Sequence, residues 1–517
     1  MKKKRIIDLI FVILTALSLS LTLIFFNHDE EAVSKSESRK LAPKPTSPVT
    51  SQEYRTELND YIDDNIGLRD PLLQLRTVLS LKLYGSIPSE KIVAGKDGFY
   101  FYNADHNLEI TTGDYPMTDE MLAEIAEAQQ TVSDHYKDLG IDYVLALTPS
   151  KASVYPEYMS GDYTVGTTVI DTVYEYLKEH TDVTVVNAKD NVIAHKGDGQ
   201  LFWHNDTHFT QLGAYYAYQA IAQTMEDAGI CSIRDFTIDR SGTESITGEF
   251  SRMLGIDGIL GTETADDITW DRNSVIEKDT DYVANLKDIS VKGGMNANYS
   301  VDVYKNSDTS LPRLLIYGDS QFMAMRKIPA YLAESCSEVV MTRLRTFSTD
   351  IEKIVQPDVV MFTMTERYLE TLQRYCPFTR PAAETTLPDL PHTENTIKLF
   401  LDYYNGQKPE VSGTVKVDTS LSTASIEGWA ADFENVTTLA DMYLYVGGKY
   451  YKAAYGNERA GVVSYYNEPK YLKSGYRITI RTSCFKNEDG TNADFMQLIG
   501  VSPEGYFYRP VTFKLTY

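Results

Sequence analysis

A chain of 517 residues is too long for one hydrophobic core, so two or more domains are expected. Its 43% hydrophobic and 24% charged content is that of globular protein and speaks against wholesale disorder. The net charge of −24 speaks against nucleic-acid binding, which needs basic stripes, and against broad attachment to anionic lipid. Cys231, Cys336, Cys376 and Cys484 show no metal-ligand spacing and are too sparse for a disulfide scaffold, so they read as buried thiols.

The chain opens Met1-Lys2-Lys3-Lys4-Arg5, followed by an apolar run whose uncharged part extends from Leu9 to Phe26. That run is long enough to span a bilayer. Basic residues before it and Asp29-Glu30-Glu31 after it put the N-terminus in the cytoplasm and the rest outside. The run ends Ile24-Phe25-Phe26 rather than in a small-x-small site, which favours an uncleaved anchor over residues 1–26. Residues 27–50 are polar and proline-bearing and read as a flexible stalk. A helical stretch runs from about Gln52 to Tyr84, and Lys91 to Tyr102 reads as a hairpin turning at Asp97-Gly98.

From Thr118 helix and strand alternate. Thr118 caps a helix carrying Leu122, Ile125, Val132, Tyr136 and Leu139, which Gly140 ends. Ile141 to Leu147 reads as a strand buried on both faces, and 183–186, 314–317, 339–341 and 358–363 read as further strands. This pattern predicts a mostly parallel sheet flanked by helices, with its site at the carboxyl ends of the strands. The polar, glycine-rich stretch from about 234 to 310 reads as an elaboration inside that domain, which is expected over residues 51–405. A proline-rich linker, Pro377 to Pro391, and a short helix near Asn395 to Tyr404 follow. Short β-rich runs separated by Gly, Asn and Asp turns then predict a small β-sandwich over 408–517. Its aromatics include Trp429, Tyr450-Tyr451, Tyr465-Tyr466 and Tyr506-Phe507-Tyr508, a supply of rings for glycan contact or for plain core.

Two short segments carry chemistry. Tyr317-Gly318-Asp319-Ser320 follows an apolar strand and precedes a helix-like stretch, which puts Ser320 at a strand's carboxyl end. His204-Asn205-Asp206-Thr207-His208 sets a carboxylate two residues from an imidazole, so both can face one side. A carboxylate in that place fixes the tautomer of a histidine acting as general base toward serine. Zinc ligation by His204, Asp206 and His208 has less support, because nothing else in the chain has suitable spacing.

Taken in order, several segments between about 52 and 375 resemble the alginate O-acetyltransferases of the AlgJ/AlgX type, the DHHW group of the SGNH hydrolase superfamily. They are Gly67-Leu68-Arg69-Asp70, Val93 to Tyr102, Thr148-Pro149-Ser150-Lys151 with Val154-Tyr155-Pro156, and Asn205 to Thr210 with Gly213-Ala214. Tyr317 to Ser320 and Pro357-Asp358-Val359-Val360 complete them. The resemblance implies an SGNH-like α/β fold and a triad of nucleophile Ser320, base His208 and orienting Asp206. It also implies acetyl transfer to a cell-envelope or secreted polysaccharide, and a membrane-bound O-acyltransferase as the partner that brings acetyl groups across the bilayer. No cofactor is expected. Phe209 stands where the family has Trp, and Gln321 where Phe or Tyr is common. Lys151, Tyr155, Arg343, Arg345, Arg367 and Trp429 are further candidates for the substrate cleft. The rival readings are a carbohydrate acetylesterase, with water as acceptor on the same triad, and a non-catalytic polysaccharide-binding scaffold.

Overall fold

The computed structural model describes residue 16 and residues 20–517, apart from 30–31, 35–38, 105, 161–165, 257–258, 279, 293–294, 296–300, 324–326, 383–386, 395–396 and 410–412. The expected membrane span, Leu9 to Phe26, lies largely outside the described residues. Among those described, no helix is long and apolar enough to cross a membrane. Parts of the expected stalk are tied down rather than free. Glu57 accepts hydrogen bonds from the Thr46 and Ser47 amides and the Ser47 hydroxyl, and Asp64 accepts from the Ala42 amide. The helical stretch is two helices, Gln52–Asn65 and Arg69–Tyr84.

The seven strands of the main sheet are β1 (Asp142–Thr148), β2 (Thr184–Asn187), β3 (Ser274–Glu277), β4 (Val301–Asn306), β5 (Arg313–Tyr317), β6 (Glu338–Thr342) and β7 (Val359–Thr365). They lie in the order β2-β1-β7-β5-β6-β4-β3. The first five are parallel, and β4 and β3 close one edge antiparallel. The apolar runs supply side chains to both faces. Val144, Ala146, Leu314, Ile316, Val339, Met341, Val359 and Met361 pack under helix Gln211–Asp227. Their neighbours Leu145, Leu147, Leu315, Tyr317, Val340, Val360 and Phe362 pack under helices Asp119–Asp138 and Val169–His180. The β3 and β4 strands come from the polar 234–310 segment, which therefore completes the sheet as well as decorating it. The hairpin of Ile92–Ala94 and Tyr100–Tyr102 turns where expected, with Asp97 and Gly98 both in the left-handed region at φ 53° and 82°.

The C-terminal part holds two facing sheets. One has the order β8-β10-β14-β13, formed by Ile397–Tyr404, Thr423–Asp432, Gly475–Arg481 and Ala454–Asn457. The other has the order β9-β16-β15-β11-β12, formed by Thr414–Lys416, Val511–Thr516, Phe495–Val501, Asp441–Val446 and Lys449–Lys452. Ile426, Met442, Leu444, Ile478, Ile480, Met496 and Leu498 fill the space between them. One expectation is corrected here. The segment read as a helix near 395–404 is strand β8, paired with β10, so this region begins before residue 408. Tyr465 and Tyr466 lie on a helix, Ala460–Tyr466. Of the strand pair, Tyr451 is buried in the core while Tyr450 meets Tyr445 on the other side.

The two regions meet along the Asp119–Asp138 helix, where Arg481 pairs with Asp134 and Asp138. Beside that pairing His135 is buried, its ring 4.6 Å from that of Phe378. Burial, reinforced by Arg481, pulls the His135 imidazole down to about 4. Between pH 6.5 and 4 the unfolded chain therefore takes up a proton that the folded chain refuses, and stability falls with falling pH. The loss attributable to His135 is about 3 kcal/mol at the acid end of that window. Urea titrations at pH 6.5 and 4.5 are expected to show a smaller acid loss for His135→Gln than for the parent. Equal losses would remove His135 from the account.

Candidate active site

Parallel pairing places Tyr317 opposite Thr342 on one side and Phe362 on the other. Three residues beyond each, at the carboxyl ends of the strands, come Ser320, Arg345 and Thr365. The chain leaves β5 tightly: a Cβ on Gly318 would lie 2.2 Å from the Thr363 methyl, so no side chain fits there. Asp319 then locks the turn. One of its oxygens accepts from the Thr365 amide (2.7 Å) and hydroxyl (2.5 Å), the other from the Gln321 amide (3.0 Å). Ser320 opens a short 3-10 turn and stays partly exposed, with a buried residue on either side.

The histidine arrives on the loop preceding helix Gln211–Asp227, whose first turn Thr210 caps through the Gly213 amide. His208 Nε2 lies 2.7 Å from Ser320 Oγ, and Nδ1 lies 2.6 Å from Asp206 Oδ1. The same Asp206 oxygen accepts the His208 amide (3.0 Å), and its partner oxygen accepts the Glu249 amide (3.0 Å). With the carboxylate accepting at Nδ1, Nε2 is left to accept from the serine hydroxyl.

Charged side chains from three other segments hold this loop. Below it the buried Lys151 ammonium donates to the carbonyls of Trp203 (2.9 Å), His204 (2.8 Å) and Asp206 (2.8 Å). Glu263 accepts the amides of His204 (2.7 Å) and Asn205 (2.5 Å), and Glu249 accepts the amide and hydroxyl of Thr207. Burial pulls Lys151 down to about 7, against the opposing pull of Asp206, Glu263 and Glu249.

Residues 92–285 match the family model of the SGNH hydrolase-like domain of the acetyltransferase AlgX. That segment is similar to an SGNH hydrolase-like domain of the AlgX type. Among curated proteins, the probable alginate O-acetylase AlgJ of Pseudomonas putida is 25% identical over 288 residues, 54% of this chain and 70% of its own length. The protein of the same description from Pseudomonas syringae is 25% identical over 332 residues, 62% of this chain and 80% of its own. The solved O-acetyltransferase domain of Pseudomonas putida AlgJ overlays at 18% identity and TM-score 0.37, covering 54% of this chain and 92% of its own.

Beside Ser320, His208 and Asp206, the other cleft candidates fare differently. Lys151 spends its three N–H groups on backbone carbonyls and has none to offer a substrate. Tyr155 is buried among Phe99, Tyr158 and Phe202, with its hydroxyl accepting the Leu201 amide, so it holds the floor of the domain. Trp429 is only 8% exposed, stacked 4.7 Å from Phe400 and packed with Phe433 and Tyr466, far along the chain in the second region. Arg345 and Arg367 do stand at the strand ends. Both guanidiniums lie over the Tyr368 ring, at 4.3 and 4.9 Å, and Arg367 also faces Tyr102 at 5.2 Å. Arg343 is partly exposed on the same connection.

Sequence reasoning missed Asp319, Gln321, Glu249 and Glu263 as supports of the site. Asp319 stood inside the quoted motif, but the two glutamates sit in the polar insertion, where acidic residues abound and none stands out. Asp206, His208 and Glu249 also bring three metal-capable atoms within 4.8 Å of one another. In the structure these atoms are engaged with each other and with Ser320 and Thr207.

Proposed function

We propose that this protein is an O-acetyltransferase that acetylates a cell-envelope or secreted polysaccharide through an acetyl ester on Ser320. The observation that carries the reading is the His208 imidazole, bonded at 2.7 Å to the serine hydroxyl and at 2.6 Å to the Asp206 carboxylate. The AlgX-type domain and the O-acetylase names of the relatives support the transfer chemistry and the polymer acceptor.

His208 Nε2 takes the proton as Ser320 Oγ attacks the acetyl carbonyl carbon, and Asp206 steadies the imidazolium that forms. The tetrahedral oxyanion needs N–H donors, and the Ser320 amide, first in its turn, lies outside the turn's own hydrogen bonds. Collapse expels the donor's leaving group, which takes the proton from His208. A sugar hydroxyl then gives its proton to His208 and attacks the acetyl-serine, and the proton returns to Ser320 Oγ as the new ester departs. In this reading residues 1–26 anchor the chain, the domain works outside the cytoplasm, and a membrane-bound O-acyltransferase supplies the acetyl groups.

The test is intact-mass spectrometry after brief exposure to p-nitrophenyl acetate. The parent is expected to gain one acetyl group, lost again on adding an acceptor oligosaccharide that becomes acetylated; Ser320→Ala should gain none. An acetyl group that water removes, with no acetylated sugar formed, would make the protein an esterase.

A further inference from the structure

Gln321, the residue next to the serine, is 2% exposed. Its side chain does not pack as a hydrocarbon filler. It crosses to the histidine loop: Oε1 accepts the Phe209 amide at 3.2 Å, and Nε2 donates to the Thr207 carbonyl at 3.2 Å. These two peptide groups flank His208. The backbone amide of Gln321 donates to Asp319, the residue before Ser320. One primary amide thus spans the gap between the strand that carries the nucleophile and the loop that carries the base.

We propose that Gln321 is a positioning residue that holds the His208 imidazole at bonding distance from Ser320. The inference rests on the reading of Ser320 and His208 given above. The geometry makes it specific. Lys151, Glu249 and Glu263 fix the loop to β1 and to the insertion, yet none of them touches the serine turn. His208 reaches Ser320 only across the space between two independently supported segments. Together with the His208–Ser320 bond itself, the Gln321 pair ties the 203–209 loop to the 318–322 turn. Only an amide of this length serves. A carboxylate would set a negative oxygen against the Thr207 carbonyl, and a hydrocarbon would leave a buried N–H and a buried C=O without partners.

The test compares the parent with Gln321→Leu, Ser320→Ala and His208→Ala, and the double variant His208→Ala with Gln321→Leu, on p-nitrophenyl acetate. Misplacing a base by about an ångström is expected to lower kcat for Gln321→Leu by about 10- to 100-fold, with KM moving less than twofold. The decisive comparison is in the double variant. If Gln321 acts through the imidazole, Gln321→Leu has no further effect once His208 is gone. A loss of the same fold in both backgrounds assigns Gln321 to general support of the domain and overturns the inference. So does a Gln321→Leu enzyme within twofold of the parent. Should Gln321→Leu unfold, Gln321→Met and Gln321→Glu carry the same comparison, with circular dichroism as the check on the fold. Retention of parent activity by Ser320→Ala or His208→Ala is a different result: it removes the triad reading itself.

Discussion

Ser320→Ala and His208→Ala are each expected to lower turnover of a small acetyl ester by about 10⁴-fold or more, with the fold intact. The size follows from division of labour. Without Oγ no acetyl-enzyme forms, and without the imidazole the hydroxyl stays protonated and is a poor nucleophile. Combining the two should cost little beyond either alone, because they act as one unit. Thermal unfolding should move little for both. Ser320 is partly exposed, and among the described residues its hydroxyl bonds His208. His208→Ala does release one Asp206 oxygen, but that oxygen keeps the backbone amide of residue 208. Circular dichroism with initial rates on p-nitrophenyl acetate gives the answer. A folded Ser320→Ala at more than a tenth of the parental rate would require a different nucleophile, and a folded His208→Ala at that rate a different base.

What could be read from the sequence was what a local pattern encodes. Strands such as 314–317 and 359–362 are unbroken apolar runs, and a strand buried on both faces has no other way to look. The cluster of Ser320, His208 and Asp206 was legible because Asp206 and His208 sit two apart and Ser320 directly follows such a run. Strand β8 was misread because Ile397, Phe400, Leu401 and Tyr404 satisfy a helical period as well as Ile397, Leu399 and Leu401 satisfy a strand's, and only the pairing with Gly428–Asp432 decides. Strands β3 and β4 were hidden for a related reason: β3 is only four residues long, and β4 mixes Asp302, Lys305 and Asn306 with its apolar residues inside a polar stretch. Trp429 and Tyr155 were misplaced because an aromatic ring looks the same in sequence whether it faces a sugar or a core. The Glu249 and Glu263 contacts depend on tertiary approach across 40 to 60 residues, which no spacing rule records.

Lys151→Met is expected to cost about 3–5 kcal/mol of stability and to lower kcat by about 100-fold. Methionine fills much of the same volume, so the loss is one of hydrogen bonding rather than packing. Three buried carbonyls, on Trp203, His204 and Asp206, would lose their donors at once, at about 1–3 kcal/mol each before relaxation. Part of that is offset because no cation has to be desolvated. The Glu249 and Glu263 carboxylates would also lose the positive charge that faces them across the loop. With its backbone released on one side, the loop no longer fixes Asp206 and His208 against Ser320, and turnover falls with stability. A pH signature separates this from simple disruption. The folded-state value of about 7 lies below the ordinary lysine value of 10.5, so between these limits the unfolded chain holds more protons than the folded one. The penalty of burying the cation is present in full below pH 7, and the Lys151 contribution makes stability rise as pH climbs toward 10. Urea titrations at pH 7 and pH 9.5 should show that rise in the parent and a smaller one in Lys151→Met. A variant as stable and active as the parent at both pH values would mean that the 203–209 loop holds its shape without the ammonium beneath it.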